Sequence, residues 1–412
     1  MVCEWPTFSL REAGVTLIDC DHRTPPPSES GYPYIAIPQL RNGRIDLSDV
    51  RRITKEHFAE WTRKAKPFAD DVVLSRRCNP GETAFVPPHV EFALGQNLVL
   101  LRTDGTKVHP PFLRWLVRGP EWWEQISKFL NVGALFDSLK CADVPNFQLR
   151  IPPLPEQRAI ARILGTLDDK IELNRKMNET LAAMAQALFK NWFVDFEPFR
   201  DQGMNDSPLG EIPPTWSLRM LSDLVTLIKD RVETTSTKDN ERYIALDDMP
   251  SKSIDLSRFR LGSEVNSSIS SFKKGDILFG SMRPYFHKVG LAPFDGITRT
   301  TTFVLRPKKV EYRSFALLHF FSDDVIEFST TASVGTTIPY VKWDTLGAYR
   351  IAVPSNQLLF KFERVVGTLT QKIAKNSDES HTLLTIRDML LPKLLSGEIR
   401  VKDAERFAER AA

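Results

Sequence analysis

From Ile160 the apolar positions advance by fours and threes: Ile160, Leu164, Leu167, Ile171, then Asn174 and Asn178, then Leu181, Ala185, Leu188 and Trp192. This is an a/d seam sustained over several heptads, so the spacing predicts one long helix with a partner along its apolar edge. Pro155-Glu156-Gln157 offers a proline-and-acid start. At about 1.5 Å per residue the seam spans about 50 Å. A second seam runs through Phe362, Val366, Leu369, Ile373, Asn376, Ser380, Leu383, Arg387, Leu390 and Leu394. Pro392 should end or kink that helix near Leu391, making the second rod the shorter.

Ahead of each seam the pattern changes. Short β-prone runs at Tyr34–Ile37, Asp71–Ser75 and Asn97–Arg102 alternate with Pro and Gly, followed by helical stretches at Pro111–Val117 and Glu121–Leu130. The same order returns as Tyr243–Leu246, Asp276–Gly280 and Thr302–Arg306, then a helix over Arg313–Ser329. The chain is therefore an internal repeat. Val132-Gly133 recurs as Val334-Gly335, Gly165-Thr166-Leu167 as Gly367-Thr368-Leu369, and Asn174 as Asn376. The offset drifts in the early part of each copy and is constant in the late part, as expected of a variable unit followed by a fixed one. The expected domains are 1–150 and 201–350 as mixed α/β units, 151–200 and 351–397 as helical regions, and 398–412 as a tail. A duplicated chain builds its own pseudo-twofold axis, which proteins reading two separated DNA half-sites otherwise obtain by dimerising.

The polar residues Asn174, Asn178, Asn376 and Ser380 fall mid-seam and are expected to fix register. Run antiparallel, Asn174 meets Ser380 and Asn178 meets Asn376. Run parallel, Asn174 meets Asn376 and Asn178 meets Ser380. The seam alone accepts both. Connectivity favours the antiparallel arrangement, because a whole domain intervenes between the helices.

Composition adds little. Apolar residues make up 42% and charged residues 26% of 412 positions, which suits a soluble globular chain of two domains. No apolar window is long enough to predict a transmembrane helix, and the first residues lack a secretory layout. The scattered Cys3, Cys20, Cys78 and Cys141 suggest a reducing cytoplasm and incidental thiols. Net charge is only +3, yet nine Lys or Arg against three acids lie between Lys273 and Arg313. That stretch reads equally as a solvated face or as a polyanion surface.

Enzyme motifs are missing. His109-Pro110-Pro111-Phe112 lacks the Asn or Asp that a DNA methyltransferase places first, and no glycine-rich cofactor loop or phosphate-cradling run is found. The seven His show no metalloprotease or zinc-finger spacing, so neither catalytic nor metal residues are expected.

IPPLPEQRAIARILGTLDDKIELN at Ile151–Asn174, LLPKLLSGEI at Leu390–Ile399 and GTTIPYVKWDTL at Gly335–Leu346 resemble the specificity subunits of type I restriction–modification systems. The resemblance covers nearly the whole chain. It implies an α/β fold with two pseudo-twofold-related target recognition domains, separated by two long helices packed as an antiparallel coiled coil. It also implies a non-catalytic subunit that reads a split double-stranded DNA target and docks two methyltransferase subunits and, through them, restriction subunits. S-adenosylmethionine, ATP and Mg2+ would belong to those partners, with no cofactor on this chain. Arg387 on the second seam departs from the apolar pattern.

For base and phosphate contacts, loop-borne cations, amides and hydroxyls are the candidates: Arg283, Tyr285, Lys288, Arg299 and Thr300 in the second unit, with Arg76, Arg77 and Asn79 at the matching place in the first. Gly335-Thr336-Thr337 could offer backbone amides, with Thr336 and Thr337 as contacts. Met282, Phe286 and Phe303 are expected in the core. The stripe Phe189, Trp192, Phe193, Phe196 and Phe199 reads either as packing within the chain or as a partner-docking patch, for which Phe189, Trp192, Phe193 and Phe196 are the candidates. A free-standing two-site DNA-binding regulator is the rival reading, and a divergent DNA-modifying enzyme a weaker third.

Overall fold

The computed structural model describes residues 5–133, 136–232, 241–262 and 268–401. The chain divides into two compact units, Met1–Asp169 with Thr382–Ala412, and Lys170–His381. Each of the two long helices, Leu154–Phe189 and Asn356–Leu395, contributes residues to both. Among the described residues no helix is long and apolar enough to cross a membrane.

The sequence repeat is a repeat of topology. Unit 1 holds an antiparallel sheet in the order Val15–Asp19, Leu98–Thr103, Val72–Ser75, Thr83–Phe85. Unit 2 holds the same sheet as Val225–Ile228, Thr302–Pro307, Ile277–Gly280, Val289–Leu291. The central strands Val72–Ser75 and Ile277–Gly280 are buried at every position, which explains their continuous rather than alternating apolar runs. In a second sheet, Tyr32–Ile35 pairs in parallel with Ala93–Leu94, and Arg242–Ile244 pairs in parallel with Gly296–Arg299. A bidentate ion pair ties the two central strands of each antiparallel sheet together at one end. Arg102 donates to Asp71 at 2.8 and 2.6 Å, and Arg306 donates to Asp276 at 2.8 Å twice. Each carboxylate also accepts a backbone amide three residues upstream, from Phe68 and Lys273.

Most predicted elements stand within two residues of their expected limits, and two do not. The helix expected over Arg313–Ser329 is two helices, Arg313–Phe320 and Asp323–Thr331. Ser322 caps the second by accepting from the Val325 amide, and Asp323-Asp324 place negative charge on its first turn. The second long helix also does not stop at Leu391. It passes through Pro392 and, at 40 residues against 36, is the longer of the two. Proline removes one hydrogen bond near the end of this helix, while Leu390, Leu391 and Leu394 stay buried in unit 1. Termination falls instead at Gly397, at φ 72°, where the Gly397 and Ile399 amides turn back on the Leu394 and Lys393 carbonyls. Gly119 lets this last turn approach, since a Cβ there would lie 2.3 Å from Leu395 Cδ1.

The two long helices run antiparallel. In unit 2, Asn174 Nδ2 donates to Ser380 Oγ at 3.3 Å, and Asn376 Nδ2 donates to Asn178 Oδ1 at 2.9 Å. This is the antiparallel register, and the parallel alternative is excluded. The aromatic stripe lies farther along the same unit. Phe189 and Phe193 are buried against Phe315 and Phe362, so they form core and not an exposed docking patch, which corrects that assignment. Trp192, Phe196 and Phe199 are partly covered and pack on the same cluster. His319 packs against it, edge-on to Phe189 and partly covered, and burial of its ring lowers its pKa to about 3.

Candidate nucleic-acid interface

One hydrogen-bonded junction of three loops is built in both units. In unit 2 the strand Ile277–Gly280 ends at Ser281, whose amide donates to the Thr301 carbonyl at 3.0 Å. The Ser281 carbonyl accepts the Val341 amide at 3.0 Å. Met282 then bridges Tyr340, which bridges Val334. In unit 1 the strand Val72–Ser75 ends at Arg76, whose amide donates to Asn97 and whose carbonyl accepts from Leu139, both at 2.9 Å. Arg77 bridges Ser138, which bridges Asn131. The match extends to backbone strain: Cys78 and Arg283, next in line, have φ of 64° and 48°. Non-glycine residues hold such angles where their surroundings over-determine them, a condition enriched at functional sites.

In unit 2 the junction collects most of the residues expected there. Arg283, Tyr285, Arg299, Thr300, Thr336 and Thr337 are all exposed. The Arg283 amide donates to the Pro339 carbonyl at 2.7 Å, so the loop bearing Thr336 and Thr337 is fastened to the loop bearing Arg283. Arg299 ends the strand Gly296–Arg299 at the turn that Ser281 grips. Lys288 differs: its Nζ donates to the Leu246 carbonyl at 2.7 Å, and its side chain is half-buried. His287 is buried, with Nε2 on the Phe321 carbonyl.

Phe286 was expected in the core and is 40% exposed. It stands edge-on to Tyr285 with centroids 4.8 Å apart, and the Arg283 and Lys288 cations each lie 5.9 Å from its ring. Both cations thus stand at the outer limit of cation–π range from the ring. Met282 and Phe303 are half-buried. In unit 1, Arg77 and Asn79 are exposed, whereas Arg76 occupies the inward place of Ser281 and directs Nη1 to the Leu139 carbonyl. Val132 and Phe136, not among the sequence candidates, are 83% and 60% exposed on the loop that closes onto Arg77. The repeated Val132-Gly133 and Val334-Gly335 pair was the available signal.

Much of the basic stretch between Lys273 and Arg313 is committed within unit 2. Arg306 binds Asp276, Arg313 binds Glu363, and Lys308 donates to the Ser222 carbonyl.

The architecture has close counterparts among known proteins. The family described as the type I restriction modification DNA specificity domain matches residues 26–183. The type I restriction enzyme MjaIX specificity subunit of Methanocaldococcus jannaschii is 30% identical over 372 residues, covering 86% of this chain and 83% of the relative. The chain belongs to the type I restriction enzyme specificity subunits. The HindI specificity subunit of Haemophilus influenzae is 25% identical over 82% of this chain and 88% of its own length. The crystal structure of a type I restriction–modification S subunit from M. genitalium shares the fold, with a TM-score of 0.55 at 18% identity over 95% of this chain and 96% of that one. As a specificity subunit, the chain is the non-catalytic, DNA-recognising member of its system, and it works in a complex with DNA and other subunits.

Proposed function

We propose that each unit reads one block of a split double-stranded target through its three-loop junction. Unit 1 offers Arg77 and Asn79, backed by Arg76. Unit 2 offers Arg283, Tyr285, Arg299 and Thr300, with Lys288 as an oriented cation and the 335–337 loop as a phosphate contact. The observation that carries this reading is the duplication of the junction, strained residue included. Loops on rigid sheets are where base readout is normally placed, and bidentate Arg contacts are the commonest specific ones. The recognition domains are then 1–150 and 201–350. The chain directs adenine methylation by two methyltransferase subunits and cleavage by restriction subunits bound through them, and S-adenosylmethionine, ATP and Mg2+ act on those subunits.

The test is co-expression with the neighbouring methyltransferase gene in a methylation-free host, followed by mapping of modified bases by long-read sequencing. Two short specified blocks around an unspecified gap are expected, only when this chain is present. Arg283→Ala should relax one block and Arg77→Ala the other. A single contiguous motif, or relaxation of the same block by both variants, would overturn the assignment of one block per unit.

A further inference from the structure

Unit 1 gathers Asp19, Cys20 and His22 so that one donor atom from each lies within 4.8 Å of the others. Asp19 is the last residue of the strand Val15–Asp19, and Cys20 follows it into the interior, 1% exposed, its thiol donating to the Gly95 carbonyl at 3.3 Å. His22 places Nδ1 on the Gln96 carbonyl at 2.9 Å and Nε2 on Asp19 Oδ2 at 3.0 Å. The Cys141 thiol lies near the Asp19 carboxylate, outside that group of three.

Both ring nitrogens of His22 face oxygens, Nδ1 the Gln96 carbonyl and Nε2 the Asp19 carboxylate. A cation seated between Nε2 and Asp19 takes one bond from each. The Gln96 carbonyl then serves as the outer partner that sets tautomer and ring angle, the usual arrangement behind a metal-bound histidine. Bond lengths of about 2.0–2.3 Å at tetrahedral angles put donor atoms about 3.3–3.8 Å apart, so small side-chain rotations complete the site. Thiolate and imidazole donors select zinc-like ions over magnesium or calcium.

We propose that unit 1 binds one divalent transition-metal ion, of zinc chemistry, through Cys20 Sγ, His22 Nε2 and the Asp19 carboxylate, with Cys141 Sγ as the fourth ligand. Binding releases the two thiol protons to solvent, and no oxidant or reductant is involved. Burial holds the metal-free Cys20 thiol protonated, its pKa pushed up to about 11, so the ion's own charge drives that release. Among the described residues the cluster belongs to unit 1 only. By strand register, the positions of Asp19, Cys20 and His22 are taken in unit 2 by Lys229, Asp230 and Val232. It lies directly behind the first reading loop: Gln96 precedes Asn97, which grips the Arg76 amide, and Cys141 follows Leu139, which grips the Arg76 carbonyl. An ion there ties the strand end to the segment that closes the junction.

The experiment is titration of the purified, metal-stripped full chain with Co(II), read by absorption. One equivalent should bind, with tetrahedral d–d bands and a thiolate-to-cobalt charge-transfer band, and Zn(II) should displace it. Cys20→Ser with Cys141→Ser should remove the charge-transfer band. His22→Gln, at a half-exposed ring and with circular dichroism to check that the fold is kept, should abolish one-to-one uptake. Cys78→Ser should change neither. The proposal is overturned by uptake below one equivalent, by d–d bands without charge transfer, or by a spectrum indifferent to His22→Gln. None of these readouts depends on DNA recognition.

Discussion

The paired helices meet differently in the two units. In unit 1 the seam carries an ionic cluster. Asp168, 3% exposed, accepts from Arg387 at 2.7 Å and from Arg44 at 3.0 Å, with Arg114 at 3.9 Å. In unit 2 the buried part of the seam carries an uncharged layer plus one acid, with the partly exposed Glu379 accepting from Asn174 at its rim. Asn178 donates to Ser377 and to Asp255 and accepts from Asn376, while Ser377 donates to Asp255. Arg44 and Asp255 both come from the α/β part of their unit, so each layer fastens recognition fold to helix. The difference lies in what a lost partner leaves behind: a buried ion in unit 1, an unmet hydrogen bond in unit 2.

That contrast fixes an order of effects. Asp168→Ala should cost most, about 3–5 kcal/mol, because Arg387 loses its buried partner and keeps only the exposed Asp388, while Arg114 loses its nearest carboxylate. The urea midpoint of unfolding measures this, and Asp168→Leu with Arg387→Leu should recover much of the loss. If the single and double variants are equally destabilised, burial of the ion is not the cause. Asn178→Ala should cost less, about 1–3 kcal/mol, the range for stranding buried hydrogen-bond partners. A loss as large as that of Asp168→Ala would erase the distinction between the layers.

The acid in unit 2 sharpens the comparison through pH. Burial raises the Asp255 pKa above its usual 3.8, opposed by the bonds from Ser377 and Asn178. The folded state therefore holds a proton that the unfolded state has released. The contribution is fully present below the unfolded pKa and is lost as pH rises through the folded one. The stability of Asp255→Asn relative to the parent should thus grow from about pH 4 upward and then level off, as read by thermal melts across pH. His319, whose lowered pKa makes unit 2 weaker as pH falls below its usual 6.5, cancels in that difference. A flat difference would mean that Asp255 is charged at no cost. The smallest effect on stability belongs to Arg283→Ala, within about 0.5 kcal/mol for an exposed loop residue. Its effect on discrimination at one target block should be larger, about 1–3 kcal/mol, measured by methylation frequency across target variants.

The repeat, the two seams and the strands at Val72–Ser75 and Ile277–Gly280 were legible because each rests on periodicity or on a local apolar run. Arg387 looked like a flaw in the second seam and is the complement of Asp168, 219 residues away in sequence. The helix break at Ser322 was written locally, as Ser-Asp-Asp, and was masked by apolar residues on both sides. Passage of the second helix through Pro392 was not legible, since the burial of Leu390, Leu391 and Leu394 that outweighs the missing bond is a tertiary fact.

The sequence by itself determined that two α/β units alternate with two long helices, that polar residues interrupt both seams, and which cations are available in loops. Those follow from spacing along the chain. Tertiary structure decided the antiparallel register, the burial of Phe189 and Phe193, the exposure of Phe286, and which loops meet at Arg76 and Ser281. Each depends on partners brought together by folding: strand order, not chain order, sets which carbonyl lies opposite which amide.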